Sequence, residues 1–149
     1  MSLKKNTILS KTLSIPRLVV GLWQIADMEK EDQQLDLPKT ASYMDAYVDA
    51  GFTAFDMADH YGSSEIIAGI CKNKNAKKNT IKMFTKWVPK PGKITKDQVR
   101  VAVQKALDRM DQKTIDLMQF HAWDYTDPSW LDGLTFLNEL KEEGLIDNI

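Results

Sequence analysis

Two hydrophobic periods alternate along this chain, and that alternation constrains its fold more than any other feature. Residues 14–23 (SIPRLVVGLW), 52–58 (FTAFDMA), 81–87 (IKMFTKW) and 115–122 (IDLMQFHA) read as strands. Between them the apolar spacing turns helical. Ala41, Met44, Tyr47 and Val48 share a face over residues 40–50, with Gly51 placed to end that helix. Residues 64–74 form a second helix, with Ser63 or Ser64 as N-cap. Thr95 and Gln98 make a capping box ahead of the stripe Val99, Ala102, Val103, Ala106, Leu107 and Met110. Asp127 as N-cap and Pro128 at the first position open a fourth helix, lined by Leu131, Leu134, Leu137 and Leu140 and closed by Gly144.

The order is βαβαβαβα, so the chain is α/β. Parallel neighbours need a crossover, and a helix between every two strands supplies it. Two architectures fit this order, a doubly wound sheet and a (β/α)8 barrel. Residues 145–149 (LIDNI) read as the opening of a fifth strand, cut off. A barrel needs four more units. Residues 1–149 show no internal repeat and no interdomain linker, and the polar connection 25–39 reads as a surface loop.

Composition removes several function classes. The net charge is −1, so no field of one sign points to nucleic acid or a membrane surface. The densest basic run, Lys72, Lys74, Lys77 and Lys78, lies among asparagines with no aromatic on which a base could stack, and reads as a solvated loop. No apolar stretch approaches the ~20 residues of a membrane span. One cysteine, Cys71, permits no internal disulfide and reads as a packed thiol, which points to a reducing, cytoplasmic setting. There is no G-x-G-x-x-G, no Walker A sequence and no H-E-x-x-H, and the two histidines, His60 and His121, suggest no metal site.

The chemistry-bearing residues gather at strand ends. Asp56 lies late in the second strand, with Tyr61 in the loop that follows. Lys86 lies late in the third strand and His121 late in the fourth. Strand alternation orients them together: Asp56 inward turns Phe55 and Met57 out, Lys86 inward turns Met83 and Thr85 out, and His121 inward turns Met118 and Phe120 out. A lysine on a buried strand is costly unless paired, and Asp56 is its natural partner. A cation beside a phenol favours the phenolate, so a tyrosine so placed can act as a general acid towards a carbonyl oxygen. A histidine on the opposite wall can orient that oxygen. None of these groups donates two electrons, so reduction of a carbonyl would draw hydride from a bound cofactor.

DMADHYGSSE at residues 56–65, FTKW at 84–87 and DLMQFHAWDY at 116–125 resemble the aldo-keto reductase family, and the likeness runs from GLW at 21–23 to KEEGLIDNI at the end. The resemblance implies the first four βα units of a (β/α)8 TIM barrel, truncated at the start of strand five. It implies reduction of a small aldehyde or ketone with NADPH, or NADH. Tyr61 would be the proton donor, Lys86 and Asp56 would tune it, and His121 would orient the carbonyl. Gly21, Trp23 and Asp56 would lie against the cofactor, and Trp23, Trp87 and Trp123 would wall the substrate pocket. His60 receives no role. Asp116, at the opposite strand end, is expected to be structural. In the family the dinucleotide is held largely by strands five to eight. The chain alone is therefore expected to be inactive, serving as a binding or assembly partner, or to be completed by self-association through raw edges at strands one and four.

Overall fold

The computed structural model describes residues 5–27 and 35–149. It opens with an antiparallel hairpin, β1 (Asn6–Ser10) and β2 (Leu13–Pro16). A parallel sheet follows: β3 (Val20–Gly21), β4 (Ala54–Asp56), β5 (Lys82–Trp87) and β6 (Leu117–Phe120), in that sequential order. Helices α1 (Leu37–Asp49), α2 (Ser64–Lys74), α3 (Lys96–Met110) and α4 (Trp130–Glu142) alternate with these strands.

The expected single strand over 14–23 is corrected to two. Residues 14–16 belong to the hairpin, whose pairing carries on to Arg17, where the N–H donates to the Lys5 carbonyl at 3.1 Å. The chain leaves the hairpin after Arg17, and Val20 then enters the sheet. Leu18 and Val19, 65% and 40% exposed, then cross the surface.

Alternation along the strands sorts the side chains into two cores. Phe55, Met57, Met83, Trp87 and Met118 join residues of all four helices in the larger one. Ala54, Phe84 and Leu117 face the other way and meet Leu13 and Ile15 of the hairpin. All four helices therefore cover one face, and the hairpin covers part of the other. The strand order never reverses among the described strands, as it does at the switch point of a doubly wound sheet.

Helix ends follow local chemistry. The Thr95–Gln98 capping box forms as read. The first helix begins earlier than residue 40, because the Asp36 carboxylate accepts the Lys39 N–H at 3.1 Å and caps it. The fourth helix begins later than Asp127 implies. Asp127 instead accepts the Ser129 N–H at 2.9 Å, closing a turn before Trp130. Leu131 is exposed, and the inner face of α4 is Gly133, Leu137 and Leu140. Gly69 lets α2 lie close against α3: a Cβ there would collide with the Met110 carbonyl.

Residues 145–149 lie beside β6. Ile146 bridges Ile115 in parallel, and the Met118 N–H donates to the Asn148 carbonyl at 2.9 Å. The edge of the fourth parallel strand, expected raw, is thus partly paired by the chain itself. The Asn148 side-chain oxygen also accepts Ser10 Oγ at 2.6 Å and Thr12 Oγ1 at 2.9 Å, stitching the hairpin turn to that segment.

At the N-terminal strand ends, Asp116 accepts Lys82 Nζ at 2.8 Å, Lys72 Nζ at 3.0 Å and the Met83 N–H at 3.0 Å. Burial alone would raise its pKa, but these donors outweigh it and hold the carboxyl below the usual range. Cys71 is buried near Asp45, and burial followed by that carboxylate pushes its thiol up to about 11. It is a packed, protonated thiol. Among the described residues, no helix is long and apolar enough to cross a membrane.

Candidate active site

Asp56 is the last residue of β4 and stands beside Gly21 of β3, while Lys86 of β5 stands beside Gln119 of β6. Lys86 Nζ donates to Asp56 Oδ2 at 2.6 Å and to the Met57 carbonyl at 2.7 Å. Gln119 Nε2 donates to Asp56 Oδ1 at 2.7 Å. Both oxygens of the carboxylate are occupied, and two of the three ammonium N–H bonds are used. The lysine side chain is 14% exposed and the aspartate 29%, so the pair is shielded on one side and open on the other.

Tyr61 follows in the turn between β4 and α2. The Lys86 ammonium stands over its ring, 5.0 Å from the centre, within the reach of cation–π attraction. Trp23 packs edge-to-face on the same ring at 4.6 Å. The turn is braced from below. Gly62 adopts φ 47°, which its missing Cβ permits. Arg109 of α3 donates to the Gly62 carbonyl and, through Nε, to Glu65 at 2.7 Å. Glu65 is buried and also accepts Thr85 Oγ1 at 2.5 Å. Asp27 accepts the Ser63 N–H at 2.7 Å, and that backbone bond holds its carboxyl below the usual range.

His121 shares the strand end, and its N–H extends the ladder to the Trp87 carbonyl at 3.0 Å. Its ring packs on Trp123 at 4.8 Å rather than on the Lys86 pair. The structure therefore brings Asp56, Lys86 and Tyr61 into one cluster, with Trp23 against it and His121 beside it. It does not bring Trp87 there. Trp87 is 7% exposed and packs into the helical layer, 5.7 Å from the Phe120 ring and against Gly133. The alternation that turns Lys86 away from the helices turns its neighbour towards them. Trp87 and Trp123 do share a cavity of about 880 Å³ with His60, Val101 and Lys105, on the α3 side of the strand ends.

Three participants escaped the sequence reading. Gln119 lies two residues before His121, on the same side of its strand, and that parity was available as a signal. Asp59 accepts the Val88 N–H at 3.1 Å with one oxygen and holds His60 Nδ1 at 2.9 Å with the other. Asp27 reaches Ser63 across 36 residues, a pairing for which local sequence carries no signal.

At Gly21 a Cβ would meet nothing within 4 Å, so space lies open over the β3 end, between Asp56 and Trp23. An aromatic edge, a carboxylate and open room fit the nicotinamide end of a dinucleotide. Among the described residues no cluster of three or more His, Cys, Asp or Glu side chains could hold a metal ion.

Comparison with known proteins gives a consistent picture. The model of the aldo/keto reductase family matches residues 17–149. A human protein, aflatoxin B1 aldehyde reductase member 4, is 30% identical over 133 residues, covering 87% of this chain and 38% of its own length. The holo form of an aldo-keto reductase from Bacillus halodurans superposes with a TM-score of 0.76 at 25% identity, over 96% of this chain and 48% of that one. A Bombyx mori aldo-keto reductase in complex with NADP superposes with a TM-score of 0.70 at 19% identity, over 95% and 48%. The chain spans about half the length of these structures, and less of the human relative.

Proposed function

The chain belongs to the aldo/keto reductase family, and from that premise we propose that Tyr61, Lys86, Asp56 and His121 form the proton-donating part of an NAD(P)H-dependent carbonyl reductase site. The observation that carries this reading is the fixed Lys86–Asp56 pair beneath the Tyr61 ring. We place these residues at the C-terminal mouth of a (β/α)8 barrel of which this chain forms the first four units, with the active site where such barrels have it.

Each residue then has a physical task. Asp56 and the Met57 carbonyl fix the Lys86 ammonium, and Gln119 fixes Asp56 in turn. Tyr61, with that ammonium over its ring, is the group that gives its proton to the oxygen of an aldehyde or ketone. His121 orients that oxygen from the adjacent strand end. Trp23 and the exposed ring of Trp123 serve as apolar walls for a small substrate. The cofactor, when bound over Gly21 and Trp23, supplies the hydride.

The test is NADPH or NADH oxidation against a panel of aldehydes and ketones, with Tyr61→Phe as the control. Any reduction the protein supports, alone or in a complex, should fall by roughly 10²–10⁴-fold on loss of the general acid. Retained activity in that variant overturns the reading. A second reading is association of two copies through the outer edge of β3, which ends the described sheet and is flanked by the exposed Leu18 and Val19. Size-exclusion chromatography across a concentration series separates a dimer from a monomer.

A further inference from the structure

His60 stands next to the proposed proton donor and has no part in the reading above. Its surroundings are constructed. The Asp59 N–H donates to the Lys86 carbonyl at 2.9 Å, which ties the loop to β5. Asp59 Oδ2 accepts the Val88 N–H at 3.1 Å, two residues further along the same chain segment. Its other oxygen, Oδ1, lies 2.9 Å from His60 Nδ1. A carboxylate accepts and cannot donate, so the proton of the neutral imidazole sits on Nδ1. Nε2 is then the basic atom, as it is wherever a carboxylate orients a histidine through the other nitrogen.

The imidazole lies edge-on to the Tyr61 ring, with centroids 4.8 Å apart, and 6.2 Å from Trp23. It is also exposed, 36% at the side chain, and lines the cavity that opens towards α3. One group thus touches both the tyrosine and solvent. We propose that Asp59 and His60 form a proton-relay dyad, in which His60 Nε2 returns to Tyr61 the proton that Tyr61 gives up.

The step balances simply. Tyr61 loses its proton to the substrate oxygen and is left as a phenolate. An imidazolium at His60 transfers its Nε2 proton to that phenolate, through a short water chain. The neutral imidazole then takes a proton from solvent, and Asp59 keeps the Nδ1 proton in place throughout. The charged groups around the imidazole are Asp59 on its own loop and Lys86 across the Tyr61 ring. Glu65 of α2, Lys90 and Lys93 of the loop after β5, and Asp97 and Lys105 of α3 share its cavity. The assignment rests on the proposed role of Tyr61, but its test does not require turnover.

The experiment uses the full chain labelled with ¹⁵N-histidine and ¹³Cζ-tyrosine, with His121→Gln and Tyr61→Phe to assign the signals. Neutral His60 should show the Nδ1–H tautomer in long-range ¹H–¹⁵N spectra. Asp59→Asn should shift the population towards Nε2–H. The Tyr61 ¹³Cζ shift should show an inflection at the pH where His60 titrates, and His60→Gln should abolish it. An Nε2–H tautomer in the unmodified protein, or a Tyr61 signal indifferent to His60 titration, overturns the dyad. If Tyr61→Phe leaves reduction intact, the reductase reading falls and takes the relay with it, whichever tautomer is seen, whereas a failed spectroscopic result overturns the dyad alone.

Discussion

Two aspartate–lysine clusters sit at opposite ends of one parallel sheet, and they are built differently. Asp116, at the N-terminal strand ends, takes two lysines and a backbone amide, and its side chain is 8% exposed. Asp56, at the C-terminal ends, takes one lysine and one glutamine, and is 29% exposed. The first cluster joins α2, β5 and the segment entering β6, and closes over itself. The second leaves an ammonium standing over a tyrosine ring, with open space alongside at Gly21. Charge satisfied on every side holds elements together, whereas charge left facing a cleft can act on something else.

If that contrast is right, substitutions at the two ends should fail in different assays. The largest effect is the roughly 10²–10⁴-fold loss of any reductase activity in Tyr61→Phe, with an unchanged melting temperature. A comparable fall in stability would break the comparison. Next, Asp116→Ala strands the Lys72 and Lys82 ammoniums and should cost about 3–5 kcal/mol in denaturant unfolding. A cost near zero would place the lower cluster among ordinary surface pairs. Asn148→Ala removes the acceptor shared by Ser10 and Thr12 and should cost about 1–2 kcal/mol, with faster amide exchange in the hairpin. The smallest effect is in acid. The folded-state pKa of Asp116 is lowered, so its stabilisation is complete above the ordinary carboxylate range and is lost as pH falls below it. Asp116→Asn should flatten the acid limb of stability against pH, while leaving the limb near neutrality as it was.

Much of this architecture is legible in the sequence, because each strand has a period of two and each helix carries a buried stripe. Alternation alone separates Phe55, Met83 and Met118 from Ala54, Phe84 and Leu117, and the two cores divide along that line. The same rule places Trp87 on the helical side. Its adjacency to Lys86 suggested a pocket wall; parity turns it away from the Lys86 cluster, and it lines the cavity on the α3 side instead. The hairpin is hidden because Ile15, Leu18, Val19 and Val20 read as one apolar stretch, with only Pro16 and Arg17 between them. The braces of the Tyr61 turn are harder still. Arg109 reaches Gly62 from 47 residues away, and the need for a donor there arises from a carbonyl that local sequence does not mark.

The stitch between Asn148 and the hairpin turn also orders events during synthesis. Ser10 and Asn148 are separated by 138 positions. At about 5–20 residues per second, a ribosome delivers the acceptor roughly 7–28 seconds after the hydroxyls. Until then Leu13 and Ile15 have only part of their seat, since Phe84 and Leu117 also arrive late. The hairpin is thus fastened long after its own synthesis, and it stays an unsecured apolar unit until residue 148 has been made.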